Sequence, residues 1–500
     1  MPADQQLKDA LNVIVEDLDA GKASAVGSER WYDSVAVHPY NWEDLGYAEY
    51  YYRRDTILVR TEDVKRVIRA LREDPRSLPD RDGDKFPDNC DPAGPGPIIP
   101  GHVAIDQLPV TDGVTGLVWR YGRTSRSVDD GGRGTYGGDD FDDVGGEPGG
   151  RPHDDDPLST PRVLERLDLR VGVGVGTPCH ALWLCTTAGN GHPCPATEPA
   201  EVPAMAGPVP PVNSGICCGT RGWDGDGVVV GVVDGGLVAD AQQWPWMAGV
   251  QGDLDLSVSP TKVIEPYAGH GTFVAGCVRC MAPKTELWVK KPKAVDIHKH
   301  GGTAYEHEII RSMIDLLNLG ADIIVCEFDG VTRLHLPMHT FDAFYNRRLR
   351  HLNVVVVAPA GNDKTNLRTF PAAYDWVIGV GALSANGNTR AVFSNYGHWV
   401  DVFAPGEDLV NAFPTGDYTC YEDPRDPNDP HERRHFKGLA SWSGTSFSAP
   451  LVAGMIAARM SATGENAPRA AKAVRKFARS QAAPGIGPVL YPHQICGKCR

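Results

Sequence analysis

The chain has 500 residues, 41% of them hydrophobic and 8% aromatic, with a formal net charge of -15. That length exceeds a single core, so two domains, or one large domain with an appendage, are expected, and the apolar share is enough to fill them. The acidic balance speaks against a nucleic-acid partner, and no apolar run approaches the roughly 20 residues of a spanning helix, which speaks against a membrane partner.

Residues 1–12 lack a basic segment followed by an apolar one, so no signal peptide is expected. The 12 cysteines are a small fraction of the chain. Without an export signal, reduced thiols in the cytoplasm are the expectation. Residues 55–60 alternate like a strand and 64–72 have helical spacing. The Pro/Asp/Gly-rich stretch 75–100 reads as loop, and 115–121 as another strand. In 125–157, Asp129-Asp130, Asp139-Asp-Phe-Asp-Asp143 and Asp154-Asp-Asp156 stand among glycines, and the segment lacks the apolar residues to fold alone. It reads as an exposed disordered loop. Clustered carboxylates also suit calcium, but the spacing fits no calcium-loop template. Residues 161–167 read as a helix and 179–185 as a strand. The implied organisation is an α+β N-terminal region over 1–186, a linker over 187–222, a larger domain over 223–482 and a tail over 483–500.

Within the larger domain, strand-like runs at 228–233, 287–289, 322–326, 354–358 and 376–382 alternate with helical ones. Thr303 followed by Glu306 reads as a capping box for a helix that carries Ile309, Ile310, Met313, Ile314 and Leu317 on one face and stops at Gly320. Phe341, Phe344, Tyr345, Leu349 and Leu352 mark the next helix. Continuous apolar strands between amphipathic helices imply an α/β fold, a mostly parallel sheet with helices on both faces. In such a sheet reactive groups gather at the carboxyl ends of strands. Cys277 and Cys280, and Cys496 and Cys499, are each half of a metal-ligand pattern, with no second half at recognisable spacing.

Three segments carry chemistry. Gly227-Val-Val-Val-Gly-Val-Val-Asp-Gly-Gly236 is a buried strand ending in the carboxylate of Asp234, and Gly269-His-Gly-Thr-Phe-Val-Ala-Gly276 sets His270 between glycines at a helix start. Ser441-Trp-Ser-Gly-Thr-Ser-Phe-Ser-Ala-Pro-Leu-Val-Ala-Gly454 places Ser446 at the start of a buried small-residue helix, with Pro450 near its beginning. Unpaired amides and the helix dipole there favour an oxygen that develops negative charge. Serine is a weak nucleophile alone, so a base and an orienting acid are required. The order Asp234, His270, Ser446 supplies both in the subtilisin sequence of a Ser/His/Asp triad.

With these motifs the chain resembles the subtilisin-like serine peptidases (subtilases) over roughly residues 223–480. Ala358-Pro-Ala-Gly-Asn362 is similar to the family segment whose asparagine completes the oxyanion hole, so the resemblance implies Asn362 and the Ser446 N–H as oxyanion donors. It further implies a serine endopeptidase acting on polypeptides through an acyl-enzyme, with no metal and no organic cofactor. Substrate would lie along Phe328, Asp329 and Gly330, in the place of the family's Ser-Leu-Gly, and by Ala360 and Gly361. The bulk of Phe328 and the charge of Asp329 depart from that pattern, and Asp329 suggests a preference for basic substrate residues. Residues 417–435 read as a charged surface insertion ahead of the nucleophile. Subtilases often carry an N-terminal domain that assists folding and blocks the active site until cut; residues 1–186 match that layout in element order, and equally suit an accessory domain. The alternative to catalysis is a silent peptide-binding scaffold of the same fold. An esterase of the α/β-hydrolase type is disfavoured, since no Gly-x-Ser-x-Gly surrounds the serine.

Overall fold

A computed structural model of the chain describes residues 35–37, 51–73, 97–119, 158, 160–184, 196–202, 222–265, 267–292, 302–419 and 432–492. The acidic stretch 125–157 and the Cys496/Cys499 pair lie outside these residues. The chain divides into a smaller unit, built mainly from Tyr52–Arg123 and His153–Cys179, and a larger one that includes His180–Arg500.

The first elements are β1 (Val35–Val37), β2 (Tyr51–Arg60), α1 (Val64–Arg72), β3 (Ile105–Thr111), β4 (Val114–Trp119), α2 (Thr160–Val171) and β5 (Gly176–Trp183). In the smaller unit β4 is the antiparallel partner of both β2 and β3. Val64, Val67 and Leu71 of α1 and Val163, Leu164 and Leu167 of α2 meet Ile57, Val59, Leu117 and Trp119 in one core. The 3.6-residue spacing of the helices and the alternation of β2 therefore bury the same face. β3 gave no strand signal in the sequence because Pro109 interrupts it; as the last strand in its sheet it tolerates a proline, and the register shifts there.

The larger unit continues with β6 (Ala200–Glu201), β7 (Val229–Val233), β8 (Gln251–Gly252), β9 (Val263–Ile264), α3 (His270–Met281), β10 (Glu286–Lys290), β11 (Thr303–Tyr305), α4 (Glu306–Asn318), β12 (Ile323–Cys326), α5 (His339–Arg347), β13 (Val355–Pro359), β14 (Val377–Leu383), β15 (Val402–Pro405), β16 (Leu409–Thr419), β17 (Arg433–Trp442), α6 (Thr445–Thr463) and α7 (Ala467–Ser480). Seven strands form a sheet in the order β15-β14-β13-β12-β7-β10-β8, and every pair in it is parallel.

Alternation along the central strands sorts their side chains between two cores. Val230, Val232, Ile323, Val325 and Val357 pack with α3, α6 and α7. Ile324, Cys326, Val356 and Ala358 pack with α4 and α5. The sheet is thus covered on both faces, as its unbroken β-branched runs require. This is the α/β, subtilisin-like architecture expected from the sequence. Every residue of α3 is buried, and small residues admit close packing against α6, where a Cβ on Gly454 would lie 2.6 Å from Met281 Cβ.

Some local expectations fail. Thr303 is not a helix cap: it lies in β11, and α4 starts at Glu306 after Tyr305 with no side-chain cap. Burial of Ile309, Ile310, Met313 and Leu316, about 1.5–3 kcal/mol each, outweighs the roughly 1 kcal/mol that a cap supplies. α5 ends at Arg347, so Leu349 and Leu352 fall beyond it. Pro450 is well inside α6 rather than in its first turn. The charged stretch 417–435 is not simply a loop, since Asp417, Tyr418 and Thr419 pair with His435, Arg434 and Arg433 in the β16–β17 ladder. Within 187–222, β6 pairs with β17, and Trp442 Nε1 donates to Thr197 O at 2.7 Å.

Candidate active site

Asp234 follows β7 directly, and its N–H donates to Lys290 O at 2.9 Å, so the ladder to β10 runs one residue past the strand. The carboxylate is fully buried. Its Oδ2 lies 2.8 Å and its Oδ1 3.0 Å from His270 Nδ1. A carboxylate only accepts, so Nδ1 donates and Nε2 is left as the basic nitrogen. His270 is the first residue of α3, and the turn before it requires Gly269, whose φ is 80°. A Cβ at Gly271 would stand 2.3 Å from Gly236 O and 3.0 Å from Asp234 Oδ1, so only glycine lets the two segments meet. The turn is anchored by Asp255, whose Oδ2 accepts from Gly269 N–H at 2.7 Å and whose Oδ1 accepts from Ser257 N–H at 2.9 Å. Burial raises the Asp255 pKa, against the pull of those two bonds.

Ser446 is the second residue of α6 and is fully buried. Its neighbour Phe447 lies 5.5 Å from the His270 ring at 40°, and Trp442 meets that ring edge-on at 5.6 Å and 84°. The start of α6 and the start of α3 therefore share one aromatic cluster, whose rings hold the imidazole's plane. Among the described residues neither Ser446 Oγ nor His270 Nε2 has a hydrogen-bond partner. Bonds of that kind often tighten only when substrate arrives.

Asn362 lies just beyond β13. Its Oδ1 accepts from Thr445 N–H at 2.9 Å and from Thr445 Oγ–H at 3.0 Å, while Gly361 N–H donates to that Oγ at 3.1 Å. The amide oxygen is thus committed to the residue preceding Ser446, and the NH2 end carries the donors. Asp234, Glu327 and Asn362 follow three adjacent strands, β7, β12 and β13, at their carboxyl ends.

The remaining sequence-selected residues divide. Asp329 pairs through both backbone groups with Trp183, at 2.8 Å each way. Gly330 instead exchanges its backbone bonds with Phe370 at 3.0 and 2.8 Å. Phe328 is turned into the core with α4 and α5. Ala360 N–H goes to Val380 O at 2.8 Å, and Ala360 O accepts from Thr369 Oγ and Asn395 Nδ2. Gly361, at φ 95°, faces the Asp329 carboxyl, since a Cβ there would meet Asp329 Oδ2 at 2.5 Å. Burial first, and then the Asp363 charge, raise the Asp329 pKa well above the usual carboxylate range.

Glu327 was not singled out in the sequence. It is fully buried, its N–H donates to Val233 O at 3.1 Å beside Asp234, and its carboxyl oxygens make no hydrogen bond among the described residues. Burial and then the Asp234 charge raise its pKa well above the usual range; the nearby Ser446 hydroxyl opposes this without completing a well-formed bond. The strand expected over 179–185 is present as the end of β5, and what the sequence did not show is what residues 180–184 pair with. On one side Ala181, Leu182 and Trp183 pair antiparallel with β11 and Leu184 N–H donates to Gly302 O at 2.9 Å; on the other, Trp183 bridges Asp329. Among the described residues no cluster of three or more His, Cys, Asp or Glu side chains is set to hold a metal. Cys277 and Cys280 are free, buried thiols, each 3.6 Å from Asn411 Nδ2. No helix among the described residues is long and apolar enough to cross a membrane.

A buried carboxylate–imidazole pair and a serine at a helix start thus stand on a parallel sheet covered on both faces. The model of the subtilase family matches residues 225–483, and the chain belongs to that family. It is accordingly a serine-type endopeptidase. Subtilisin DY of Bacillus licheniformis is 29% identical over 245 residues, which cover 47% of this chain and 78% of that one. An intracellular serine protease of Paenibacillus polymyxa is 28% identical over 251 residues, 47% of this chain and 66% of its own length. Among solved structures, that of a lanthipeptide protease is similar over 55% of this chain and 88% of that one, at 23% identity and a TM-score of 0.42.

Proposed function

We propose that Asp234, His270 and Ser446 act as a catalytic triad that hydrolyses peptide bonds through an acyl-enzyme. Asp234 holds Nδ1–H, so His270 Nε2 takes the Ser446 hydroxyl proton as Oγ attacks the substrate carbonyl. The oxyanion is met by the Asn362 NH2 group and the Ser446 N–H at the start of α6. His270 then hands its proton to the leaving amine, and water admitted to the same base releases the acid. The observation that carries this reading is the two-oxygen contact of the buried Asp234 on His270 Nδ1, at 2.8 and 3.0 Å. It is tested by hydrolysis of an internally quenched peptide: Ser446→Ala lowers kcat by on the order of 10⁶. A silent scaffold would leave the wild-type chain no faster than the variant.

The segment 180–184 supports a substrate mode. Backbone pairing of an extended segment with a strand is how a peptide docks by β-addition, and here β11 pairs on one side while Trp183 bridges Asp329 on the other. In our reading residues 180–184 of the larger unit lie as a substrate strand would. Intact-mass measurement of the wild type against Ser446→Ala tests this: self-cleavage in the former alone supports it, and an uncut wild type removes it. A lysine or arginine side chain of the substrate would lie near Asp329, whose buried carboxyl would ionise beside that cation; cleavage profiles without enrichment of either residue would remove that preference. A cytoplasmic setting is supported by the free thiols of Cys277, Cys280 and Cys326.

A further inference from the structure

His180 is held by a set of groups that backbone pairing does not need. Its Nδ1 lies 2.9 Å from Glu306 Oε1, which also accepts the His180 N–H at 2.8 Å. Its Nε2 accepts from Arg333 N–H at 3.2 Å. Glu306 is fully buried at the start of α4, and its other oxygen accepts from Thr340 Oγ–H. The imidazole is thus read on both edges, as a donor by a carboxylate and as an acceptor by a backbone amide.

We propose that Glu306, Thr340 and the Arg333 amide form a side-chain subsite for histidine, with which the enzyme selects polypeptide substrates carrying histidine three residues before the one that pairs with Asp329. This rests on the reading of residues 180–184 as a substrate-like strand. The chemistry of the pocket is selective. Lysine and arginine are donors only and cannot accept from Arg333 N–H. Alanine leaves a buried carboxylate oxygen short of a donor, and glutamine, though it both donates and accepts, cannot span the two partners from opposite edges of a flat ring. The backbone N–H at this position bonds Glu306 whatever the residue, so discrimination rests on Nδ1. One hydrogen bond to a charged group corresponds to roughly 10- to 150-fold in affinity.

The test changes the ligand, which leaves the protein's folding out of the comparison. In the full chain carrying Ser446→Ala, His180→Ala and Trp183→Pro, the chain's own strand loses its imidazole and its N–H to Asp329. Fluorescein-labelled Thr-Pro-Cys-His-Ala-Leu-Trp-Leu is then titrated by anisotropy beside versions with alanine or lysine for histidine. The histidine peptide is expected to bind at least about tenfold tighter than either. Adding Glu306→Leu to the chain should erase the difference while all three peptides still bind. Equal affinities, or no binding of any peptide, overturn the subsite. Labelling of Ser446 by a fluorophosphonate in the otherwise unchanged chain reports the catalytic reading separately: labelling without histidine selection sinks the subsite alone, and selection without labelling sinks the triad alone.

Discussion

Asn362 offers a way to separate catalysis from architecture within one side chain. Its oxygen holds Thr445 through two bonds, at 2.9 and 3.0 Å, and its NH2 is the proposed oxyanion donor. Asn362→Ala removes both functions. The loss of a donor costs about 100- to 1000-fold in kcat, or about 2.7–4 kcal/mol, a range found for a subtilisin. The orphaned, buried Thr445 N–H costs a further 1–3 kcal/mol or so of folding stability. Asn362→Asp keeps an acceptor for Thr445 and removes only the donors. It should lose at least as much kcat with a smaller loss of stability. KM should change little in either variant, because the oxyanion forms only as the reaction proceeds. Steady-state kinetics on a quenched peptide and urea unfolding measure the two effects side by side. An Asn362→Asp enzyme within tenfold of wild-type kcat, or a loss confined to KM, would refute the assignment.

Other outcomes follow from the same geometry. Gly271→Ala forces a Cβ onto Gly236 O and Asp234; we expect a loss of about 1–3 kcal/mol in urea unfolding and of on the order of 100-fold in kcat, and an unchanged kcat would show that the Asp234–His270 approach does not matter. Glu327 has a folded pKa above its unfolded value of about 4.3. As pH rises from there the unfolded chain gives up this proton first, so stability is lost up through the folded pKa. Glu327→Gln should therefore stabilise the chain at pH 8 and change it little at pH 4, whereas equal changes in urea midpoint at both would contradict the burial argument. Burial pushes the Cys280 and Cys326 thiols up to about 12, so iodoacetamide at pH 8 should leave both unmodified in the folded chain and label them in urea.

What could be read in the sequence was whatever is encoded locally. β7, β12, β13 and β14 announce themselves as apolar, largely β-branched runs because both faces of the sheet are buried there, β10 only as the short apolar Leu287-Trp-Val289, and Asp234, His270 and Ser446 because glycines and small residues surround them. Structure that depends on distant partners was hidden. Glu306 looked like half of a capping box, yet its carboxylate is spent on His180, 126 residues away in the chain. Glu327 was masked by its neighbours: the run Val325-Cys-Glu-Phe-Asp-Gly330 drew attention to Phe328, whose side chain is in the core, and not to the carboxyl beside the nucleophile. β16 and β17 escaped because the charged residues that suggested a loop are the exposed members of a half-buried hairpin. The alternation was present in residues 433–442, but Pro and Asp in 422–430 obscured it.

The proposal as a whole turns on whether one alcohol among many is activated. Mass spectrometry of a fluorophosphonate-treated chain, with peptide mapping of the adduct, decides this directly. A single adduct on Ser446, lost in His270→Ala while the fold is retained, is the expected result. An unmodified Ser446 in the wild-type chain, or equal modification without His270, would contradict it.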